Sequence, residues 1–293
     1  MLEILKKSIS TECVSVELFN PRPGIDIPVF EVNSFHILNQ IVGYVKYKNR
    51  TEGNVYFRGQ HKLYNNMVPA LFRGCSKTSQ MQNKHRLLTG YIDRCRKSVK
   101  MFSRFPEPAH EPLLQHYGIK TRWLDLVDNL WVALWFGVNT WHTKELDREY
   151  YNVFERDHRN PEHEFLYLIL MASDAVTELA NQPGVYLGKS THTIDLRKSC
   201  PSVFLRPHAQ HALLIRKRNL ARIEDVDMSE NIVGILRIRT ENAKEWIGKT
   251  GLISPKNLFP PVNYDFGYGF LIEQAPHEKK SIKRLGSIYT VSY

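Results

Sequence analysis

Apolar residues recur along this chain in two patterns. Three- and four-residue steps predict helices, and short unbroken apolar runs predict strands. Phe35, Leu38, Ile41, Val42 and Val45 line one face of a helix over Ser34–Tyr47, after the turn signal Pro21-Arg22-Pro23-Gly24. Asn54–Gln60 reads as a strand closing on Gly59. From Met81 to Phe105, the positions Leu88, Tyr91, Ile92, Cys95, Val99 and Phe102 make the stripe of a longer amphipathic helix. Asp128 is the expected N-cap of a helix over Asn129–His142, with Leu130, Leu134, Trp135, Val138 and Trp141 inward. Tyr151–Glu164 is charged and reads as an exposed loop. Phe165–Met171 predicts a central strand, and further strands are expected at His211–Arg216, Ile232–Ile238, Gly269–Ile272 and Ile288–Tyr293. A short helix over Glu241–Lys249 ends at Gly251. Strands dominate the C-terminal half and βαβ alternation is weak, so the fold class is α+β rather than doubly wound. Residues 1–50 read as an N-terminal lead-in packed on the core, 51–262 as the main domain, and 263–293 as a C-terminal strand and tail.

Charge changes this picture. The 293 residues hold 40 Lys and Arg against 30 Asp and Glu, a formal net charge of +10. The excess is concentrated. The polar face of the 81–105 helix carries Lys84, Arg86, Arg94, Arg96, Lys97, Lys100 and Arg104 against Asp93, and Lys189–Arg222 holds eight basic residues and one acid, Asp195. A one-signed face repels itself and asks for a counter-anion, so a nucleic acid, a phosphorylated ligand or an acidic partner is expected. Arg94, Lys97, Lys100, Arg206, Arg216 and Lys217 are the candidate nucleic-acid contacts; the plainer reading of the same charge is solubility. No apolar run is long enough for a membrane span, and no leader peptide is visible. Cys13, Cys75, Cys95 and Cys200 share no metal or disulfide spacing. Together these point to a cytoplasmic protein with reduced thiols and no metal.

Three segments carry chemistry. Arg58 followed by Gly59 and Gln60 offers a rigid cationic fork on a strand, suited to phosphate. Gln115, His116, Tyr117, Thr121, Arg122 and Asp125 crowd around the Gly118 turn just before the most apolar helix. Burying so many polar groups without partners would be costly, so the cluster reads as a site. Within it, a pairing of Arg122 with Asp125 is expected to stiffen the loop. Phe204–Ile215, with Arg206, His208, Gln210 and His211, leads polar residues into a strand, or forms a basic loop that only touches a polyanion. There is no Walker loop, GxGxxG, GxSxG or HExxH, and His208-x-x-His211 lacks companion ligands.

Phe57-Arg58-Gly59-Gln60, Leu71-Phe72-Arg73, Gln115-His116-Tyr117-Gly118-x-x-Thr121-Arg122-x-Leu124-Asp125, Ala133-Leu134-Trp135-Phe136 and Arg206-x-x-Ala209-Gln210 occur in the order seen in the FRG-domain family, which this chain resembles over about residues 52–260. That family is similar in layout to ADP-ribosyltransferases, whose split sheet clamps NAD, and its bacterial members are associated with toxin–antitoxin and phage-defence settings. The resemblance implies NAD as substrate, the basic face argues for an RNA or single-stranded DNA acceptor, RNA favoured, and an antitoxin is a possible partner. Arg58, His116, Tyr117 and Gln210 would be catalytic. Arg58 would hold the phosphates or ribose, His116 and Tyr117 would border the nicotinamide, and Gln210 would take the late-strand position. Gly59, Gln60, Thr121, Arg122 and Asp125 would complete the cofactor contacts. Two departures stand out: His211 and Ala212 follow Gln210 where the family often has glycine, and no Glu-x-Glu is present. A metal-independent ribonuclease with His116 as acid or base, and a non-catalytic nucleic-acid or partner-binding module, are the alternatives.

Overall fold

The computed structural model describes residues 2–145, 149–155, 163–248, 251–276, 285–288 and 290–292. Where the sequence predicts only a lead-in over residues 1–50, the chain opens on a hairpin. β1 (Cys13–Arg22) and β2 (Ile25–Val32) pair antiparallel across a turn in which Gly24 takes φ +81°, a left-handed value that suits glycine. α1 (Phe35–Asn49) buries Leu38, Ile41, Val42 and Val45, as the spacing predicts, and leads into β3 (Asn54–Gln60). α2 (Thr78–Ser98) is shorter than expected: Val99 leaves helical backbone at ψ 96° and a 3-10 turn over Lys100–Arg104 follows. α3 (His110–His116), β4 (Leu124–Val127) and α4 (Leu130–Val138) come next. The cap of α4 is Asn129, not Asp128; its side chain accepts from the Trp131 and Val132 N–H groups at 3.0 and 3.3 Å.

α4 gives way at Asn139 to β5 (Asn139–Glu145), which pairs with β6 (Glu149–Glu155). The last residues of the expected helix, Asn139–His142, and part of the expected 151–164 loop are therefore strands; residues 156–162 lie outside the described ones. β7 (Phe165–Ser173), β8 (Thr177–Glu178), β9 (Val185–Leu187) and β10 (Thr191–Asp195) follow. Then come α5 (Leu196–Ser199), α6 (Leu205–Ala209), β11 (Ala212–Lys217), β12 (Ile232–Arg239), α7 (Thr240–Ile247) and α8 (Pro255–Leu258). α9 (Phe266–Gln274) stands where a strand at Gly269–Ile272 was expected, because the buried Asp265 caps the Tyr268 N–H and starts a helix. β13 (Thr290–Ser292) completes a three-stranded sheet with β6 and β5. The basic tail residues Lys279, Lys280, Lys283 and Arg284 lie outside the described residues. No helix among the described residues is long and apolar enough to cross a membrane.

The main sheet runs β1-β2-β12-β7-β3-β4-β11-β10-β9-β8, with β2 and β12 parallel and the other neighbours antiparallel. The class is therefore α+β with a large mixed sheet. Along β7, Leu166, Leu168, Leu170 and Ala172 join the core under α1, α4 and α7, while Ile169 and Met171 face the other side, the alternation a doubly covered strand requires. On β11, Ala212 and Leu214 enter a separate core with α2, α3 and α9. Register puts Leu214 opposite Asp125, and Ala212 and Phe57 both opposite Val127, so the two helix-covered cores share one face of the sheet. They meet above the β3–β4 junction. That junction is barely joined. β3 pairs with β7 along its whole length but with β4 only through Phe57 and Val127.

Candidate functional site

Where β3 and β4 diverge, a cavity of about 180 Å³ opens. β3 contributes Phe57, Arg58 and Gly59, and β4 contributes Asp125, Leu126 and Val127. α3 adds Gln115 and His116, followed by Gly118, while α4 brings Ala133 and Phe136. The far wall is Arg206, Gln210 and Phe259.

Arg58 bridges the gap between the strands. Its Nη1 donates to the Asp125 carbonyl at 2.7 Å, a carbonyl with no β3 ladder partner, and its Nε donates to Gln60 Oε1 at 3.2 Å. Burial pulls the Arg58 pKa below the ordinary value, with the nearby Asp125 charge opposing it. Gly59 is required by packing: a Cβ there would sit 1.7 Å from the Ala133 carbonyl oxygen, so α4 lies directly on β3. Gly118 turns the chain after α3 at φ +116°.

His116 is the most constrained polar group. Gln210 Nε2 donates to the Leu258 carbonyl at 2.6 Å, which leaves Gln210 Oε1 to accept from His116 Nδ1 at 3.0 Å. The proton is then on Nδ1, and Nε2 presents a bare lone pair. It lies 3.8 Å from Asp125 Oδ1, and both atoms are buried without a hydrogen-bond partner. Two acceptors converge on one point with no donor between them. Burial holds the His116 pKa down, and the Asp125 charge pushes against that shift.

Arg206 is 1% exposed, which removes it from the nucleic-acid contacts expected of it. Its Nη1 donates to the His116 carbonyl at 2.8 Å, and its guanidinium lies 4.6 Å from the Tyr117 and Tyr268 rings and 5.4 Å from Phe259.

Other expected contacts are redistributed. Tyr117 is wholly buried, its hydroxyl donating to Asp265 Oδ2 at 2.7 Å, so it supports the cavity from behind and offers no ring to a ligand. Burial beside Asp265 pushes its pKa well above the phenol range. Thr121 is buried and bonds Gln115. Arg122 forks onto both Glu111 oxygens, not Asp125, because Glu111 also accepts the Arg122 backbone N–H at 2.9 Å. Gln60 holds Arg58 from the side. Gln210 caps α6 before β11 begins, so it is not a strand residue. Arg216 stacks 4.9 Å over Trp123, with burial bringing its pKa to about 10, and Lys217 pairs with Glu230. Arg94, Lys97 and Lys100 are exposed, in and just beyond the last turns of α2. Asp265, on which Tyr117, the Arg206 backbone and α9 all converge, carries no sequence signal beyond its N-cap position.

Residues 53–146 match the FRG domain. The FRG match runs from the residue before β3 to the end of β5, and so takes in Arg58, His116 and Asp125. Arg206, Gln210 and Phe259, the far wall of the cavity, lie beyond it. No curated protein and no solved structure matches the chain.

Proposed function

We propose that the protein transfers ADP-ribose from NAD to a nucleic acid, with RNA the favoured acceptor. The observation that carries this reading is the cavity at the split between β3 and β4, where a cation and a pair of bare acceptors converge. In the proposed reaction the bond from ribose C1′ to the nicotinamide nitrogen breaks, and nicotinamide leaves with the electron pair. A hydroxyl or ring nitrogen of the acceptor bonds to C1′, and its proton passes to His116 Nε2. Asp125, 3.8 Å away, stabilises the imidazolium so formed. Arg58 holds the diphosphate by charge, which positions C1′ without covalent help from the protein.

Lys84 donates to the Arg73 carbonyl at 3.0 Å, and the Arg73 charge is close enough to depress the Arg58 pKa. A basic path therefore leads from the site onto α2. At ~1.5 Å per residue the helix is about 31 Å long, a track for several nucleotides that ends near Arg94, Lys97 and Lys100. A role as a toxin in anti-phage defence, masked by an antitoxin, rests on the family resemblance alone.

The test is incubation with NAD labelled in its adenylate half and a panel of RNA, DNA and protein. Label is expected on RNA, and lost in Arg58→Gln and His116→Gln with the fold intact by circular dichroism. No label on any acceptor refutes the reading. Cleavage of RNA without NAD would replace it with a ribonuclease.

A further inference from the structure

Arg206 poses a problem that its neighbours do not solve. Only Nη1 has a partner; Nε and Nη2 are buried and unpaired. The nearby carboxylate, Asp265, accepts the Arg206 backbone N–H at 3.0 Å, the Tyr117 hydroxyl at 2.7 Å and the Tyr268 N–H at 3.0 Å. No carboxylate among the described residues pairs with the guanidinium. Three aromatic rings cover it, but ring faces offset only part of the cost of desolvating a cation and accept no in-plane N–H. A buried charge with two unused donors is destabilising unless something arrives to pair it.

Arg206 lines the cavity, and Arg58 stands in the same cavity. Two cations against the single carboxylate of Asp125 favour an anion with several oxygens and repel a positively charged ring. The cavity volume, about 180 Å³, is below the range of roughly 300–1,000 Å³ that whole drug-sized ligands occupy. Only one end of a dinucleotide fits.

We infer that Arg206 is the inner anion anchor of this cavity, and that the enclosed end receives a phosphate group and its attached ribose. The nicotinamide, cationic in NAD, stays toward the mouth. The phosphate takes the free Nε and Nη2 of Arg206 from one side and Arg58 from the other. A ribose hydroxyl supplies the donor that Asp125 Oδ1 lacks, beside the His116 Nε2 that takes the acceptor's proton. The inference rests on the NAD reading for the identity of the phosphate's carrier, and on the orphaned guanidinium for the phosphate itself.

The test measures binding without turnover. ADP-ribose, inorganic pyrophosphate and nicotinamide riboside are titrated calorimetrically into the full chain at matched ionic strength. ADP-ribose and pyrophosphate are expected to bind one site, and nicotinamide riboside to bind far more weakly. In Arg206→Met, ADP-ribose affinity is expected to fall roughly ten- to a hundred-fold, the loss of a charge-assisted hydrogen-bond set. The unliganded variant should melt no lower than the parent, because an unpaired buried charge has been replaced by an apolar chain of similar length.

Nicotinamide riboside binding as tightly as ADP-ribose overturns the inference, as does unchanged ADP-ribose affinity in Arg206→Met. A lower melting point in Arg206→Met that Arg206→Lys restores, with ADP-ribose affinity following stability, assigns Arg206 a structural role instead. Should the methionine variant fail to fold, the ligand order in the parent decides. ADP-ribose binding that depends on Arg206 without label transfer to any acceptor removes the transferase reading and leaves this one standing. Transfer with Arg206-independent binding does the reverse.

Discussion

At one end of β4, Asp128 and Asp195 grip Arg197 from two sides, with contacts of 3.0 and 2.7 Å to the first carboxylate and 2.9 and 2.8 Å to the second. Asp195 also caps α5 through the Arg197 N–H, and His211, held at φ +52°, completes the group through Asp128 and Asn129. Hydrogen bonds to Asp195 come first among the causes that raise the Arg197 pKa. At the other end of β4, Asp125 faces His116 with no donor between them, and Arg206, in the same cavity, leaves two nitrogen donors unused. The two regions use the same residue types. In the first, the donors of the arginine are consumed inside the fold, so its chemistry is spent on bracing strands. In the second, donors and acceptors are buried and left over, which is the arrangement of a site awaiting a ligand.

Exchanging the two arginines for methionine breaks this comparison most directly. Arg197→Met strands two aspartates, one of them 8% exposed, without their cation, and is expected to cost about 3 kcal/mol. Arg206→Met is expected to cost nothing or to stabilise. Urea unfolding of both variants reads the difference. Equal losses would mean that Arg206 is as much a brace as Arg197.

Gly59→Ala comes next. The new Cβ meets backbone on the facing helix at 1.7 Å, so α4 must move off β3, at about 2 kcal/mol. Because Ala133 and Phe136 line the cavity, ADP-ribose binding should fall with stability. In Gly43→Ala, inside α1 with no atom within 4 Å of the added Cβ, ADP-ribose binding should not change and stability should rise by up to about 1 kcal/mol.

pH sharpens the contrast between a histidine that is only packed and one that is poised. Burial lowers His192 from 6.5 to about 4, with Arg216 adding to the shift. The folded state therefore binds fewer protons than the unfolded one. Its contribution is present above pH 6.5 and lost as pH falls toward 4, at ~1.4 kcal/mol per unit, or about 3 kcal/mol across the window. His192→Gln should flatten the acid limb of stability between those values. An unchanged limb would move the titration to the other buried histidines, His110 among them.

Much of the helical and central-strand layout was legible because burial there imposes period. α1, β3, the bulk of α2, β7 and β12 follow directly from spacing. β1 was not, since Val14, Val16 and Leu18 alternate as a strand should but lie exposed, so hydrophobicity there reports no core. α9 is hidden because Gly269–Ile272 is a short apolar run that suits a strand as well as a helix, and the cap that decides for the helix, Asp265, is one residue. The site divides in the same way. Arg58, His116 and Asp125 come together as their motifs imply. Tyr117 looked available beside Gly118, but its burial depends on Asp265, 148 residues away. Arg206 looked like one more surface cation, and only tertiary packing reveals it as the inner wall of the cavity.

The smallest expected effect tests whether the acceptor pair at the cavity is open by design. Asp125 opposes the burial that lowers the His116 pKa, so Asp125→Asn removes the opposing charge and moves that pKa further down. The asparagine amide donates to the bare Nε2 once the 3.8 Å gap closes, and it no longer offers a carboxylate to a ribose hydroxyl. Stability should therefore hold or rise by up to about 1 kcal/mol, while ADP-ribose affinity falls. Following the His116 ring proton by NMR from pH 7 downward reads the first effect, and calorimetry reads the second. A His116 that titrates at higher pH in Asp125→Asn would show that the carboxylate holds no charge against the imidazole, and a variant that binds ADP-ribose as the parent does would show that it does not receive the ligand.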